Sequence, residues 1–301
     1  MRRRDFLKTT SIASSSLFVP TVDDYNKPFT EGTPTELFIM ATDWGFSGDI
    51  FMFCEAAKKA GYDGIEVWVP GSEKGMKDLS EAIVRNNLKL GLLAGGSDKD
   101  FMLHKTQFQK GLESGISLNP IYINCHSGKD YFSFEQNKEL VEFTVKRSAE
   151  SKIPIYHETH RGRMLFAAHI TKRFIENIEG LRLTLDISHW CNVHESLLKD
   201  QKETIDLALS RTNHIHARIG HAEGPQVNDP RAPEWADAVN AHFNWWDQVV
   251  KRRRAEGKFV TFLTEFGPPN YLQTLPFTNQ PVANQWDINV YMMQLLRKRY
   301  S

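Results

Sequence analysis

Eight times along the chain, a short run rich in β-branched and aromatic residues gives way to a longer segment with helical spacing. This alternation limits the fold more than any other feature. The strand-like runs fall at 36–41 (ELFIMA), 64–69 (GIEVWV), 88–94 (LKLGLLA), 121–126 (IYINCH), 153–158 (IPIYHE), 181–186 (LRLTLD), 214–219 (HIHARI) and 259–266 (FVTFLTEF). Helix-like segments follow them at 49–60, 75–86, 100–115, 134–151, 163–179, 195–210, 234–256 and 285–299. Strand and helix alternating through eight units predict an α/β protein with a single (β/α)8 TIM barrel. No Gly-rich dinucleotide fingerprint follows the first strand, which argues against an open doubly wound sheet. The barrel is placed at 31–301, with no second domain.

The first thirty residues are set apart as signal and linker. MRRRDFLKTTSIASSSLFVP opens with Arg2, Arg3 and Arg4, continues through Asp5, Phe6, Leu7 and Lys8, and ends a mild apolar, Ser-rich run at Pro20. It resembles a twin-arginine export signal, which predicts a periplasmic or exported protein; a disordered basic tail is the alternative. The apolar run is shorter than the about 20 residues a membrane span needs, so no membrane insertion is expected of the mature form. Cys54, Cys125 and Cys191 are odd in number and widely spaced, so they read as buried free thiols. Lysine plus arginine equals aspartate plus glutamate at 37 each, and no global basic field points to nucleic acid.

The chemistry-bearing residues gather at the ends of strands five to eight. Glu158, Asp186, His216 and Glu265 each end or follow an apolar run. In a barrel those ends form the active face. Three hard oxygen donors and one nitrogen suit a divalent metal, Mn²⁺ foremost, with Co²⁺, Mg²⁺ or Zn²⁺ as alternatives. A metal on two adjacent substrate oxygens would polarise a carbonyl, and Glu158 and Glu265 on opposite sides would remove and return a proton. Alternation along the seventh strand places His214, His216 and Arg218 on one side, with His214 a layer deeper and Arg218 at the rim facing substrate. His126, after strand four, reads as a site residue or as packing. Taken singly, each residue has a duller explanation: Asp186 before Ile-Ser-His is also a helix N-cap pattern. Two long Pro/Gly-rich loops, 220–233 and 267–284, leave the same face and are expected to cover the site.

This arrangement resembles the xylose isomerase-like barrel superfamily, in particular its sugar phosphate isomerase/epimerase branch, over roughly residues 35–300. The resemblance implies that Glu158, Asp186, His216 and Glu265 are the metal ligands and that Glu158 and Glu265 are also the acid/base pair. It further implies substrate contacts from His189, three residues after Asp186, and from Arg218. Glu66, in GIEVW, matches a common acidic position on the second strand and is counted with His126, Trp68 and Trp44 among the expected substrate contacts. The same superfamily holds endonuclease IV-type enzymes with three zinc ions, but Asp229-Pro230-Arg231 lacks the Asp-x-His pair they use. Trp44, Trp68 and Trp190 follow strands one, two and six, as sugar-stacking rings or as rim packing.

The expected activity is therefore a metal-dependent isomerase or epimerase acting on a small-molecule sugar or glycoside. One alternative is a lyase or dehydratase acting on 3-keto-glycosides or inosose; another is a non-catalytic sugar-binding barrel. No nucleic-acid partner is expected, and a homo-oligomer is left open.

Overall fold

The computed structural model describes residues 25–301, so the twin-arginine-like stretch lies outside the described residues. Eight parallel strands close into one barrel in sequence order: β1 Leu37–Thr42, β2 Gly64–Trp68, β3 Lys89–Gly95, β4 Tyr122–His126, β5 Ile155–Glu158, β6 Leu183–Leu185, β7 Thr212–His216 and β8 Val260–Thr264. The seam is closed by β1 on β8, in register from Leu37↔Val260 to Ala41↔Thr264. The expected (β/α)8 architecture is the observed one.

Outside the strands run α1 Ile50–Ala60, α2 Glu73–Asn86, α3 Phe101–Ser117, α4 Phe134–Ser151, α5 Ala168–Asn177, α6 Ile187–Val193, α7 Lys202–Arg211, α8 Ala236–Ala255 and α9 Gln285–Tyr300. Local chemistry starts them cleanly. Asp49 caps α1, Ser72 caps α2, Asp100 caps α3, and Ser133 with Gln136 forms a capping box on α4. Each such cap contributes about 1 kcal/mol. Among the described residues no helix is long and apolar enough to cross a membrane.

Two elements depart from the sequence expectation. The helix expected at 195–210 begins only at Lys202 as α7, and a short helix that was not expected, α6, precedes it. Asp186 accepts the Ser188 amide at 3.1 Å and starts a helix directly off β6; Glu195 (φ 47°) and Leu198 (φ 57°) then interrupt it. The seventh strand ends at His216 rather than 219, because the Arg218 amide turns back onto the His216 carbonyl at 3.0 Å.

The main core lies between strands and helices, and the three cysteines are buried there as free thiols. A smaller cluster of Met40, Tyr122, Tyr156 and Leu263 packs inside the barrel. The other interior side chains, Glu66, Asn124, Glu158, His214 and His216, are polar and buried.

The stretch read as linker is packed from Tyr25 onward. Tyr25 stacks on Phe243 at 5.3 Å, and the Phe29 amide donates to the Arg299 carbonyl at 2.7 Å. Arg254 donates to the carbonyls of Phe29 and Glu31 at 3.0 and 3.1 Å. Two aromatic anchors in a polar stretch are enough to dock it on α8 and α9. Tyr25→Ala should therefore lower stability in urea by about 3 kcal/mol, the usual cost of deleting a buried ring. A loss below about 1 kcal/mol would mean that the segment is detached in solution.

Candidate metal centre

The donors come from strand ends and the residues just beyond them. Glu158 closes β5, Asp186 follows β6, His216 closes β7, and Glu265 follows β8. One donor atom from each lies within 4.8 Å of the other three. His216 Nδ1 is the hub, 2.9 Å from Glu265 Oε2 and 3.7 Å from Glu158 Oε1. Asn124 on β4 donates from Nδ2 to Glu158 Oε2 at 3.0 Å and to Glu66 Oε1 at 3.3 Å, tying β5 to β2. The sequence reading did not single out Asn124. Its inward register on β4, two residues before His126, was the available signal.

Asp186 divides its oxygens. Oδ1 accepts the amide and hydroxyl of Ser188, capping α6, while Oδ2 takes the Arg218 guanidinium. The N-cap pattern is thus realised through Oδ1, while Oδ2 is held by Arg218. Arg218 does not stand free at the rim. It is 1% exposed, donates to His189 Nε2 at 2.8 Å, and lies 3.6 Å from Glu265 Oε2. Because the strand stops at His216, the backbone turn delivers this side chain into the carboxylate cluster.

Charge in this centre is unbalanced. Glu66, Glu158 and Glu265 surround His216, while Asp186 and Glu265 pair with Arg218, so four carboxylates face two cationic side chains. Burial raises the pKa of Glu158, Glu265 and Asp186 add to the rise, and His216 opposes it. Burial works against charge on His216, yet Glu265, Glu158 and Glu66 outweigh it and hold the imidazole well above its ordinary value. Burial also raises Asp186, against the pull of Arg218. Burial opposes the Glu265 charge too, but His216 and Arg218 bring its pKa down. An excess of buried carboxylate is what a divalent cation neutralises, and three carboxylates with one imidazole make a donor set for a hard to borderline ion. Glu158, Asp186, His216 and Glu265 are the residues able to hold such an ion together. Two further groups have donors within the same reach, Glu66/His214/His216 and His126/Glu158/His160.

A cavity of about 530 Å³ opens above the donors. Trp44 and Trp68, 37% and 51% exposed, form parts of its wall, and Trp44 meets Tyr271 edge-on at 4.9 Å. Tyr271, from the loop between β8 and α9, has the guanidinium carbons of Arg161 and Arg218 at 5.1 and 4.8 Å from its ring centre. That loop therefore reaches over the site, as its length suggested, but no spacing rule pointed to Tyr271 itself. Gly267 makes the Trp44 wall fit: a Cβ there would come within 2.4 Å of the indole.

His126, His160 and His189 line up across the site, with ring centres 4.3 and 3.8 Å apart. Burial holds all three below the ordinary imidazole value. Arg163 lies against His126, with nitrogens 3.3 Å from both ring nitrogens. Trp190 belongs to the core instead: it is fully buried and donates from Nε1 to the Leu165 carbonyl at 3.0 Å. Glu66 borders the cavity but is 1% exposed and faces two imidazoles, His214 Nε2 at 3.0 Å and His216 Nε2 at 3.1 Å.

No protein-family model matches this chain, and no curated protein does. Solved structures do match. The 3-keto-D-glucoside 4-epimerase YcjR from E. coli superposes with a TM-score of 0.58 at 13% identity, covering 87% of this chain and 99% of its own. The probable 3-DHS dehydratase AsbF from Bacillus anthracis gives 0.56 at 16%, covering 86% and 98%. A xylose isomerase-like TIM barrel protein from Mycobacterium smegmatis in complex with magnesium gives 0.57 at 12%, covering 88% and 98%. At these identities the likeness shows a shared fold. Epimerase and dehydratase chemistry both occur on this fold, so the reaction has to be argued from the site.

Proposed function

We propose that the protein is a divalent-metal-dependent isomerase or epimerase acting on a sugar. The observation that carries this reading is that Glu158 and Glu265, from β5 and β8, reach the same His216 nitrogen at the floor of an aromatic-walled cavity. Glu158, Asp186, His216 and Glu265 would hold the ion, which when bound supplies Lewis-acid polarisation of a substrate carbonyl.

The chain's own groups do the rest. Glu158 and Glu265 border the cavity and can take and return a proton at a carbon beside that carbonyl. His189, expected to touch substrate, is instead fully buried and outside the cavity lining; its Nε2 accepts from Arg218 and helps to hold that guanidinium in place. Trp44 and Trp68 present faces against which the C–H side of a sugar can lie. Tyr271 and its loop limit water at the mouth.

Elimination is the second reading, supported by the room the cavity keeps beyond the donors, out to Leu93 and Trp68. A leaving group on a 3-keto-glycoside would occupy it. Metal content and a screen in D₂O test both. Wild-type protein dialysed against metal-free buffer, reloaded with Mn²⁺ and incubated with ketohexoses and 3-keto-glucosides, should incorporate deuterium at one carbon. Product of unchanged mass apart from deuterium supports epimerisation, whereas a released aglycone or water supports elimination. Binding without exchange would leave a sugar-binding barrel, and no bound metal after reloading would sink both enzyme readings.

Metal binding should also depend on pH. Glu158 and His216, both raised, hold protons near neutral pH in the metal-free protein and must release them to become ligands. Apparent Mn²⁺ affinity should rise with pH between about 6 and 8, by up to tenfold per unit for each proton released. Calorimetry in two buffers of different ionisation enthalpy reads that release, and a pH-independent affinity would contradict it.

A further inference from the structure

We propose that Glu66 is the positioning residue for His216: a buried carboxylate that fixes the imidazole tautomer and thereby makes Nδ1 the cation ligand. The inference rests on the metal-dependent reading above and replaces substrate contact as the expected role of Glu66.

The two nitrogens of His216 face different chemistry. Nδ1 faces Glu265 and Glu158 at 2.9 and 3.7 Å. Nε2 faces Glu66 Oε1 at 3.1 Å and lies 3.2 Å from Asn124 Nδ2, whose two hydrogens are taken by Glu158 Oε2 and Glu66 Oε1. A neutral imidazole has one N–H and one lone pair. With the proton on Nε2, the N–H meets the Glu66 carboxylate and the Nδ1 lone pair is left toward the other carboxylates, where a second proton in the metal-free protein, or a bound cation in its place, makes the contact favourable. The other tautomer would set a lone pair against Glu66 and remove Nδ1 as a donor. A ligating histidine whose second nitrogen donates to a carboxylate has its ring orientation fixed and its basicity raised.

Beside His216, Glu66 is itself held from two directions, one of them braced from behind. Asn124 donates to Oε1, His214 Nε2 lies 3.0 Å from Oε2, and Tyr122 stacks against the His214 ring at 4.3 Å. His214 in turn is anchored through Nδ1 to the Thr261 hydroxyl at 2.8 Å. Glu66 is 1% exposed, with each oxygen against an imidazole. The geometry suits transmission to His216 better than contact with a ligand.

The test compares wild type with Glu66→Gln and Glu66→Asp, using Mn²⁺ alone as the probe. Mn²⁺ affinity is read by competition with a chelator, and the melting temperature is measured in EDTA. Glu66→Gln should weaken Mn²⁺ binding by about 10- to 100-fold, with Glu66→Asp recovering part of the loss. Unchanged affinity alongside a lowered EDTA melting temperature would make Glu66 merely structural and overturn the proposal. Should Glu66→Gln not fold, zinc-loaded wild type labelled with ¹⁵N-histidine decides. A His216 resonance protonated at Nε2, with Nδ1 shifted by metal, supports the assignment; protonation at Nδ1 overturns it. Wild type that binds neither Mn²⁺ nor Zn²⁺ would defeat the metal reading itself, an outcome distinct from a variant that binds as well as wild type.

Discussion

Glu158→Gln protein, saturated with Mn²⁺, is expected to exchange sugar C–H protons with solvent about 10²- to 10⁴-fold more slowly than wild type, the usual worth of a positioned acid or base. The substitution is nearly isosteric. Its amide oxygen can still accept from Asn124 Nδ2, which reaches Glu158 at 3.0 Å, so the β4–β5 tie survives. What disappears is the proton-carrying group beside His216. Metal affinity should fall as well, so the comparison needs saturating Mn²⁺ and separate kcat and KM values. A loss confined to KM would reduce Glu158 to a binding group. Exchange within tenfold of wild type would remove it from the chemistry.

Asp186→Ala should be among the most damaging single changes to folding, at about 3–5 kcal/mol, because it takes the nearest carboxylate from the buried Arg218 charge and leaves it only Glu265 at 3.6 Å. It also removes the α6 cap, for about 1 kcal/mol more. Asp186→Asn keeps an oxygen for Ser188 and should recover the cap alone. Adding Arg218→Met to either variant should restore most of the lost stability without restoring metal binding. Urea unfolding of wild type, Asp186→Ala, Arg218→Met and the double variant forms a double-mutant cycle, and additive losses would show that the two side chains do not act as a pair.

The barrel was legible because its alternation is local: each apolar run and each following amphipathic segment can be read within a dozen residues. The grouping of Glu158, Asp186, His216 and Glu265 was legible for a related reason, since parallel strands in sequence order place successive strand ends on one rim. What could not be read depended on where strands stop. Arg218 looked like a rim residue while the strand was carried to 219, and its burial follows from a turn two residues after His216. Asn124 and Glu66 are single polar letters inside apolar runs, and their partners lie 34 to 150 residues away. Tyr271 sits in a loop with no period to place it. Docking of Tyr25 on Phe243 was hidden because two aromatics in a polar stretch carry no pattern.

The fit of Gly267 beneath Trp44 also constrains how this barrel can change over time. The two positions lie on different strand-end loops, yet a side chain gained at 267 would displace the indole at 44 from its present place. In any set of relatives they should change together: a bulky residue at 267 should accompany a smaller ring or none at 44. Each such exchange would reshape one wall of the cavity and leave the donors below untouched. A lineage could therefore shift to a new substrate through this pair while conserving its chemistry.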